Sequence, residues 1–163
     1  MEGTSSTVAV IGTGRMGGAM ASSIVRGGFD VVLWNRDPSK SERLAASLDM
    51  PVAATAAEAV SKADVVVTSL ADDAALERVY LGDEGVVEGL KPGTVALDTS
   101  TVDPRAVAHV GDAVDATGAG FLDCPVSGSV SVVESGTLTI MVGGEEHLLE
   151  RVRPVLDTLA SRV

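Results

Sequence analysis

Short, unbroken apolar runs alternate with amphipathic stretches along the whole chain. Val8-Ala9-Val10-Ile11, Val31-Val32-Leu33-Trp34, Val65-Val66-Val67-Thr68-Ser69-Leu70, Thr94-Val95-Ala96-Leu97-Asp98, Phe121-Leu122-Asp123 and Leu138-Thr139-Ile140-Met141-Val142 read as strands. Continuous hydrophobicity, as opposed to a period of two, predicts strands buried on both faces, the state of a parallel sheet. Between the runs, apolar residues recur at helical spacing: Met16, Met20 and Ile24; Leu44 and Leu48; Leu148, Val152, Val155 and Leu159. Helices are expected over residues 16–27, stopped by Gly27-Gly28, and 38–48, with Pro38 in the first turn and Asp37 as cap. Others are expected over 55–61, 74–80 (capped by Asp72), 104–117 (started by Asp103-Pro104) and 145–159, kinked at Pro154. A short strand at 51–53, an irregular connection through Gly82, Gly85 and Gly89, and a loop at 130–133 complete the reading. Strands alternating with helices predict an α/β fold with a doubly wound, mostly parallel sheet, in one domain spanning residues 1–163.

Ligands of such sheets gather at the carboxyl ends of the strands. That rule selects residues 12–17, Asn35-Arg36, Leu70-Ala71-Asp72, Thr99-Ser100-Thr101 and 125–129. The first of these, Gly12-Thr13-Gly14-Arg15-Met16-Gly17, leaves a buried strand and enters a helix. Gly12 allows the tight turn, Gly14 lets backbone approach a diphosphate, and Gly17 lets helix and strand pack closely; the helix N-terminus supplies amides and positive potential. The spacing predicts a Rossmann-like dinucleotide site. At the end of the second strand, where an NAD site places an Asp or Glu about twenty residues past the glycines, this chain has Asn35-Arg36, with Lys40 a turn later. A guanidinium can fork onto a 2′-phosphate, so NADP is expected over NAD. The plainer alternative is that Arg36 and Lys40 are solvated surface charges.

Composition narrows the partners. Aromatics make up 2% of 163 residues against 45% hydrophobic, so the core must be built from Val, Ala, Leu and Ile. Twelve basic against 23 acidic residues give a net charge of −11, which disfavours nucleic acid and anionic membrane. No apolar run reaches spanning length, residues 1–7 are too short and polar for a signal peptide, and a lone Cys124 fits a reducing compartment, so a cytoplasmic protein is expected. Cys124 reads as a small buried residue, His109 and His147 as helix-surface residues, and no metal site is expected. Trp34 reads equally as an adenine contact or a strand-end core residue.

Six stretches together resemble the β-hydroxyacid dehydrogenase family, that of 3-hydroxyisobutyrate dehydrogenase, tartronate semialdehyde reductase and the glyoxylate/succinic semialdehyde reductases. They are residues 12–17, Met20-Ala21, Trp34-Asn35-Arg36, 98–104, Asp123-Cys124-Pro125-Val126-Ser127-Gly128 and 134–144. The resemblance implies hydride transfer between a nicotinamide and a small 3-hydroxy acid or aldehyde acid. It implies that Gly12, Thr13, Gly14, Arg15, Met16, Gly17, Asn35, Arg36 and Lys40 hold the dinucleotide. Leu70 and Ala71 would line the nicotinamide-side ribose, with Thr101 near the ring, while Ser127, Gly128 and Ser129 receive a substrate carboxylate. Gly128-Ser129 stands where the family has Gly-Gly, and Val130-Ser131-Val132-Val133 is bulkier than the family's small residues. Family members continue into a helix carrying a catalytic lysine and an all-helical domain that builds a dimer or larger assembly. That part is absent from this chain and none of Lys40, Lys62 or Lys91 stands in the lysine's place, so the chain alone is expected to hold cofactor and to turn over little. The alternatives are an imine reductase, disfavoured by the acid-binding stretch 123–128, and a non-catalytic nucleotide-binding or scaffold module. Asp98-Thr99-Ser100-Thr101 either position cofactor and substrate, or Ser100 and Thr101 satisfy the start of the helix at Pro104.

Overall fold

A computed structural model describes residues 6–163; of the opening segment 1–7, on which the signal-peptide reading rests, residues 1–5 lie outside them. The first half runs β1 (Thr7–Ile11), α1 (Arg15–Arg26), β2 (Asp30–Trp34), α2 (Pro38–Leu48), α3 (Ala56–Ser61), β3 (Val65–Thr68), α4 (Asp73–Leu81) and α5 (Val86–Gly89). There follow β4 (Val95–Asp98), α6 (Pro104–Asp115), β5 (Gly120–Asp123), β6 (Val126–Ser127), α7 (Val130–Glu134), β7 (Leu138–Ile140), α8 (Glu146–Leu156) and β8 (Ala160–Arg162).

Five strands form a wholly parallel sheet in the order β2-β1-β3-β4-β5. The unbroken apolar runs are explained by its two cores. Val8 and Val10 of β1 join Val31, Leu33, Val67 and Leu97 under α1 and α8, where Met20, Ile24, Val152 and Val155 are buried. Ala9 and Ile11 point the other way, with Val32, Val66 and Ala96, against Val60, Leu76, Tyr80 and Val110 of α3, α4 and α6. Strand side chains alternate between faces, so a strand covered on both sides must be apolar at every position. The chain leaves β1 for β2 on one side and β3 on the other, which opens a crevice at the strands' carboxyl ends between β1 and β3.

The cap readings for the helices hold. Asp37 accepts from Ser39 N–H, Asp72 from Ala75 N–H and Asp103 from Arg105 N–H; Thr55, expected as the first helical residue, is instead the cap of α3 and accepts from Glu58 N–H.

Five local expectations are corrected, and a short strand after β5 is added to the reading. Residues 51–53 form no strand: one bridge, Leu33 to Val52, ties them to β2, since Pro51 has no N–H with which to extend the ladder. The connection through Gly82 and Gly85 contains α5, whose Gly89 lies so close to Ala57 that a Cβ there would strike the Ala57 backbone. Residues 130–133 are helical in α7, because Val133 is buried in the first core and Ser23 Oγ donates to its carbonyl at 3.1 Å. The stretch after β5 pairs again: Val126 and Ser127 form β6, antiparallel to β7. The last helix ends at Leu156; Leu159, which fits the helical stripe, instead accepts from Leu138 N–H at 3.1 Å and leads into β8, parallel to β7. This three-stranded sheet joins the main one through the Asp123–Gly143 bridge, and Met141, expected in the strand, lies outside it and is 56% exposed.

Candidate functional site

The glycine turn is built by steric necessity. Gly12 has φ +91°, donates its N–H to Trp34 O at 2.9 Å, and would bring a Cβ into the Ser69 carbonyl. A Cβ at Gly17 would collide with the Gly12 carbonyl oxygen, so strand and helix meet backbone to backbone. Gly14 is the opposite case: it caps α1, yet nothing lies within 4 Å of where its Cβ would be. No acidic side chain occupies the first turn and no side chain caps it. Thr13 Oγ1 is buried with no hydrogen-bond partner. Open space in front of uncapped amides, with a buried hydroxyl lacking an acceptor, fits the diphosphate of a dinucleotide.

Asn35 serves this turn structurally. Its Oδ1 accepts Thr13 N–H at 2.9 Å and its Nδ2 donates to Asp37 O at 3.0 Å, so the side chain clips the β1–α1 turn to the β2–α2 loop. Beside it Arg36 and Lys40 are exposed, and neither side chain has a hydrogen-bond or ion-pair partner among the described residues. Trp34 is half-buried, packs against the second core and borders a shallow hollow with Pro38 and Val52.

On the other side of the turn a cleft of about 270 Å³ runs between the ends of β3 and β4 and the β6 segment. Met16, Leu70, Ala71, Thr101 and Gly128, all expected at the site, line it together. Ser127 and Ser129 do not: both are exposed, Ser127 pairing with Thr139 in β6 and Ser129 Oγ lying 2.9 Å from Ser131 Oγ. Gly128, at φ +146°, would press a Cβ onto Leu138 and Val132. Met20, Ser69 and Val126 also line the cleft; Met20 was legible as part of α1's apolar stripe and of the family resemblance, with no site role assigned to it.

Ser100 does not cap α6, which Asp103 does. Its Oγ donates to Asp98 Oδ1 at 2.7 Å and accepts Leu70 N–H at 2.9 Å. Asp98 Oδ1 also accepts from Thr68 Oγ1 at 2.7 Å, which lies 3.1 Å from Tyr80 Oη. Asp98 is fully buried and its Oδ2 has no partner. Burial pushes its carboxyl above the usual range and the Asp123 charge adds to this, against the hydrogen bonds from Ser100 and Thr68. The folded chain thus holds a proton that the unfolded chain has already lost. The contribution is fully present below the ordinary value of 3.8 and lost as pH rises through the folded-state value. Relative to Asp98→Asn, wild-type stability is expected to fall as pH rises above the ordinary value of 3.8, read from parallel thermal melts; a pH-independent difference would contradict it.

Cys124 is buried and its thiol is pushed up to about 12 by burial, with the Asp123 and Asp98 charges adding, which makes it inert. His109 and His147 are exposed beside Glu77 and Glu145.

Residues 7–163 match the model of the NAD-binding domain of 6-phosphogluconate dehydrogenase. The chain is 34% identical over 160 residues to a probable mitochondrial 3-hydroxyisobutyrate dehydrogenase of Dictyostelium discoideum, covering 98% of this chain and 50% of that protein. It is 34% identical over 156 residues to the NAD-dependent L-serine dehydrogenase of Pseudomonas aeruginosa, covering 96% of this chain and 52% of that one. The structure of Mycobacterium tuberculosis 3-hydroxyisobutyrate dehydrogenase with L-serine superposes with a TM-score of 0.90 at 34% identity, covering 98% of this chain and 53% of that chain. The chain spans about half the length of these relatives. No helix among the described residues is long and apolar enough to cross a membrane. Strand order, glycine turn and a match over nearly every residue agree: the chain belongs to the family of the NAD-binding domain of 6-phosphogluconate dehydrogenase.

Proposed function

We propose that this chain is the NADP-binding part of an oxidoreductase of the β-hydroxyacid dehydrogenase type, acting on a small 3-hydroxy acid or aldehyde acid. The observation that carries the reading is the continuity of the site. The open space at Gly14 lies in a turn that Asn35 ties to the β2–α2 loop, where the exposed Arg36 and Lys40 make no hydrogen bond or ion pair among the described residues, and Met16 of the same turn borders the cleft. The bound nicotinamide supplies or accepts the hydride. Arg15 and Met16, with the glycines, present the first-turn amides of α1 to the diphosphate, and Thr13 Oγ1 gains an acceptor there. Leu70, Ala71 and Thr101 bound the nicotinamide end, while Gly128 in the cleft, with the exposed Ser127 and Ser129 on either side of it in sequence, offers amide and hydroxyl donors to a substrate carboxylate.

The cleft lining holds neither lysine nor histidine among the described residues. A proton donor to the developing alkoxide must come from elsewhere, and the chain by itself is expected to bind without turning over. Arg36 and Lys40 set the coenzyme preference, with the guanidinium forking onto the 2′-phosphate. Fluorescence titration should show NADPH bound about tenfold or more tightly than NADH, and Arg36→Ala should remove most of that difference while leaving NADH affinity unchanged. Equal affinities in the wild type would overturn the NADP assignment.

A further inference from the structure

Both hydroxyl bonds to Asp98 fall on Oδ1, which accepts whether the carboxyl is ionised or carries its proton on the unpartnered Oδ2, so Asp98 dictates the direction of the bonds around it. Thr68 and Ser100 must each donate to Oδ1; Tyr80 must therefore donate to Thr68, and Ser100 Oγ is left with its lone pairs facing Leu70 N–H. The chain of bonds runs from the buried floor of the sheet to the peptide of a cleft-lining residue. Leu70 follows β3 and its side chain reaches the glycine turn, where Cδ2 would lie 3.1 Å from a Cβ on Gly12. Ser69 N–H, just before it, is held by Ile11 O at 3.1 Å. Ser100 thus supplies the bond that fixes the Leu70 peptide beyond the last bond to β1.

We propose that Asp98 is a positioning residue for the nicotinamide end of the cleft, acting through Ser100 Oγ on the Leu70 peptide. The proposal rests on the dinucleotide reading above, and it adds that the two halves of the coenzyme are held by separable parts of the fold. The diphosphate turn and Arg36 serve the adenosine half, and the Asp98–Ser100–Leu70 relay serves the other. Without Ser100 Oγ the Leu70 N–H has no acceptor, and the loop must find another before it can be reset by ligand.

The test uses the 163-residue chain with two probes, NADPH and adenosine 2′,5′-bisphosphate, which carries only the adenosine half. Ser100→Ala should weaken NADPH about tenfold and damp the fluorescence change of its nicotinamide, with the fragment's affinity held at the wild-type value. Asp98→Ala should lower NADPH affinity as Ser100→Ala does, with the fragment's affinity held, and Asp98→Asn, which keeps an Oδ1 acceptor, should restore the wild-type ratio of the two affinities. An Asp98→Ala protein with the wild-type ratio overturns the relay. A Ser100→Ala protein that binds NADPH as the wild type does overturns the relay, and so does a parallel loss of both probes, the mark of general damage. A wild type that binds neither probe overturns the dinucleotide reading and the relay with it.

Discussion

Gly17→Ala is expected to cost about 3 kcal/mol of stability, lower the melting temperature by roughly 6–12 °C and abolish dinucleotide binding. Gly14→Ala should keep the fold and lose only the binding. The two glycines are three residues apart in one turn, yet they are glycine for different reasons. At Gly17 the added methyl meets the Gly12 carbonyl oxygen, a backbone atom that cannot rotate away, so α1 must lift from β1. Lifting α1 exposes Met20 and Ile24, both fully buried in the first core. At Gly14 the methyl enters empty space, and its φ of −68° suits alanine. Alanine is a poorer N-cap than glycine by about 1 kcal/mol or less, so a small loss of stability is expected. The methyl nonetheless occupies the approach that a diphosphate needs. Thermal melts paired with NADPH titration separate the cases. A Gly14→Ala protein that binds normally would show that the diphosphate does not lie against that backbone.

Much of this was legible in the chain because parallel strands announce themselves by continuous hydrophobicity and because glycine spacing encodes close approaches. The caps at Asp37, Asp72 and Asp103 were legible for the same reason: each is a short acid directly before a helical stripe. What failed were short elements specified by tertiary contacts. The two residues of β6 and three of β8 carry no period of their own and are strands because Leu138–Ile140 lies between them. The five residues of α7 are held by Ser23 and by Arg26, which donates to Glu134 O, from a helix over a hundred positions earlier in sequence. At the site, residue types placed the glycine turn, Leu70 and Thr101, but Ser100 read either as a residue that positions cofactor and substrate or as part of the helix start at Pro104, and its partner is a peptide thirty positions away. Local spacing favours neither; the register of β3 against β4, which aligns Thr68 with Asp98, decides it.

Tyr80→Ala is expected to destabilise the chain by about 4 kcal/mol, and Tyr80→Phe by only about 1 kcal/mol. In a protein nearly without aromatics, Tyr80 is among the largest fully buried side chains. It anchors α4 to the second core and meets Phe121 of β5 edge to face, with ring centres 6.1 Å apart at 82°. Its removal leaves a cavity that the alanines and valines of the second core, all shorter than the lost ring, cannot reach across to fill. The hydroxyl is a smaller matter. Burial raises its pKa well above the ordinary value of 10, so at neutral pH it is a neutral donor to Thr68. Phenylalanine removes that bond while Thr68 still donates to Asp98, so the acceptor side of the network, and with it the Ser100–Leu70 contact, is preserved. Urea unfolding should thus separate the two variants by about 3 kcal/mol, with nucleotide affinity of Tyr80→Phe at the wild-type level. If Tyr80→Phe proved as costly as Tyr80→Ala, the hydroxyl network, not the packed ring, would be what holds α4 to the sheet.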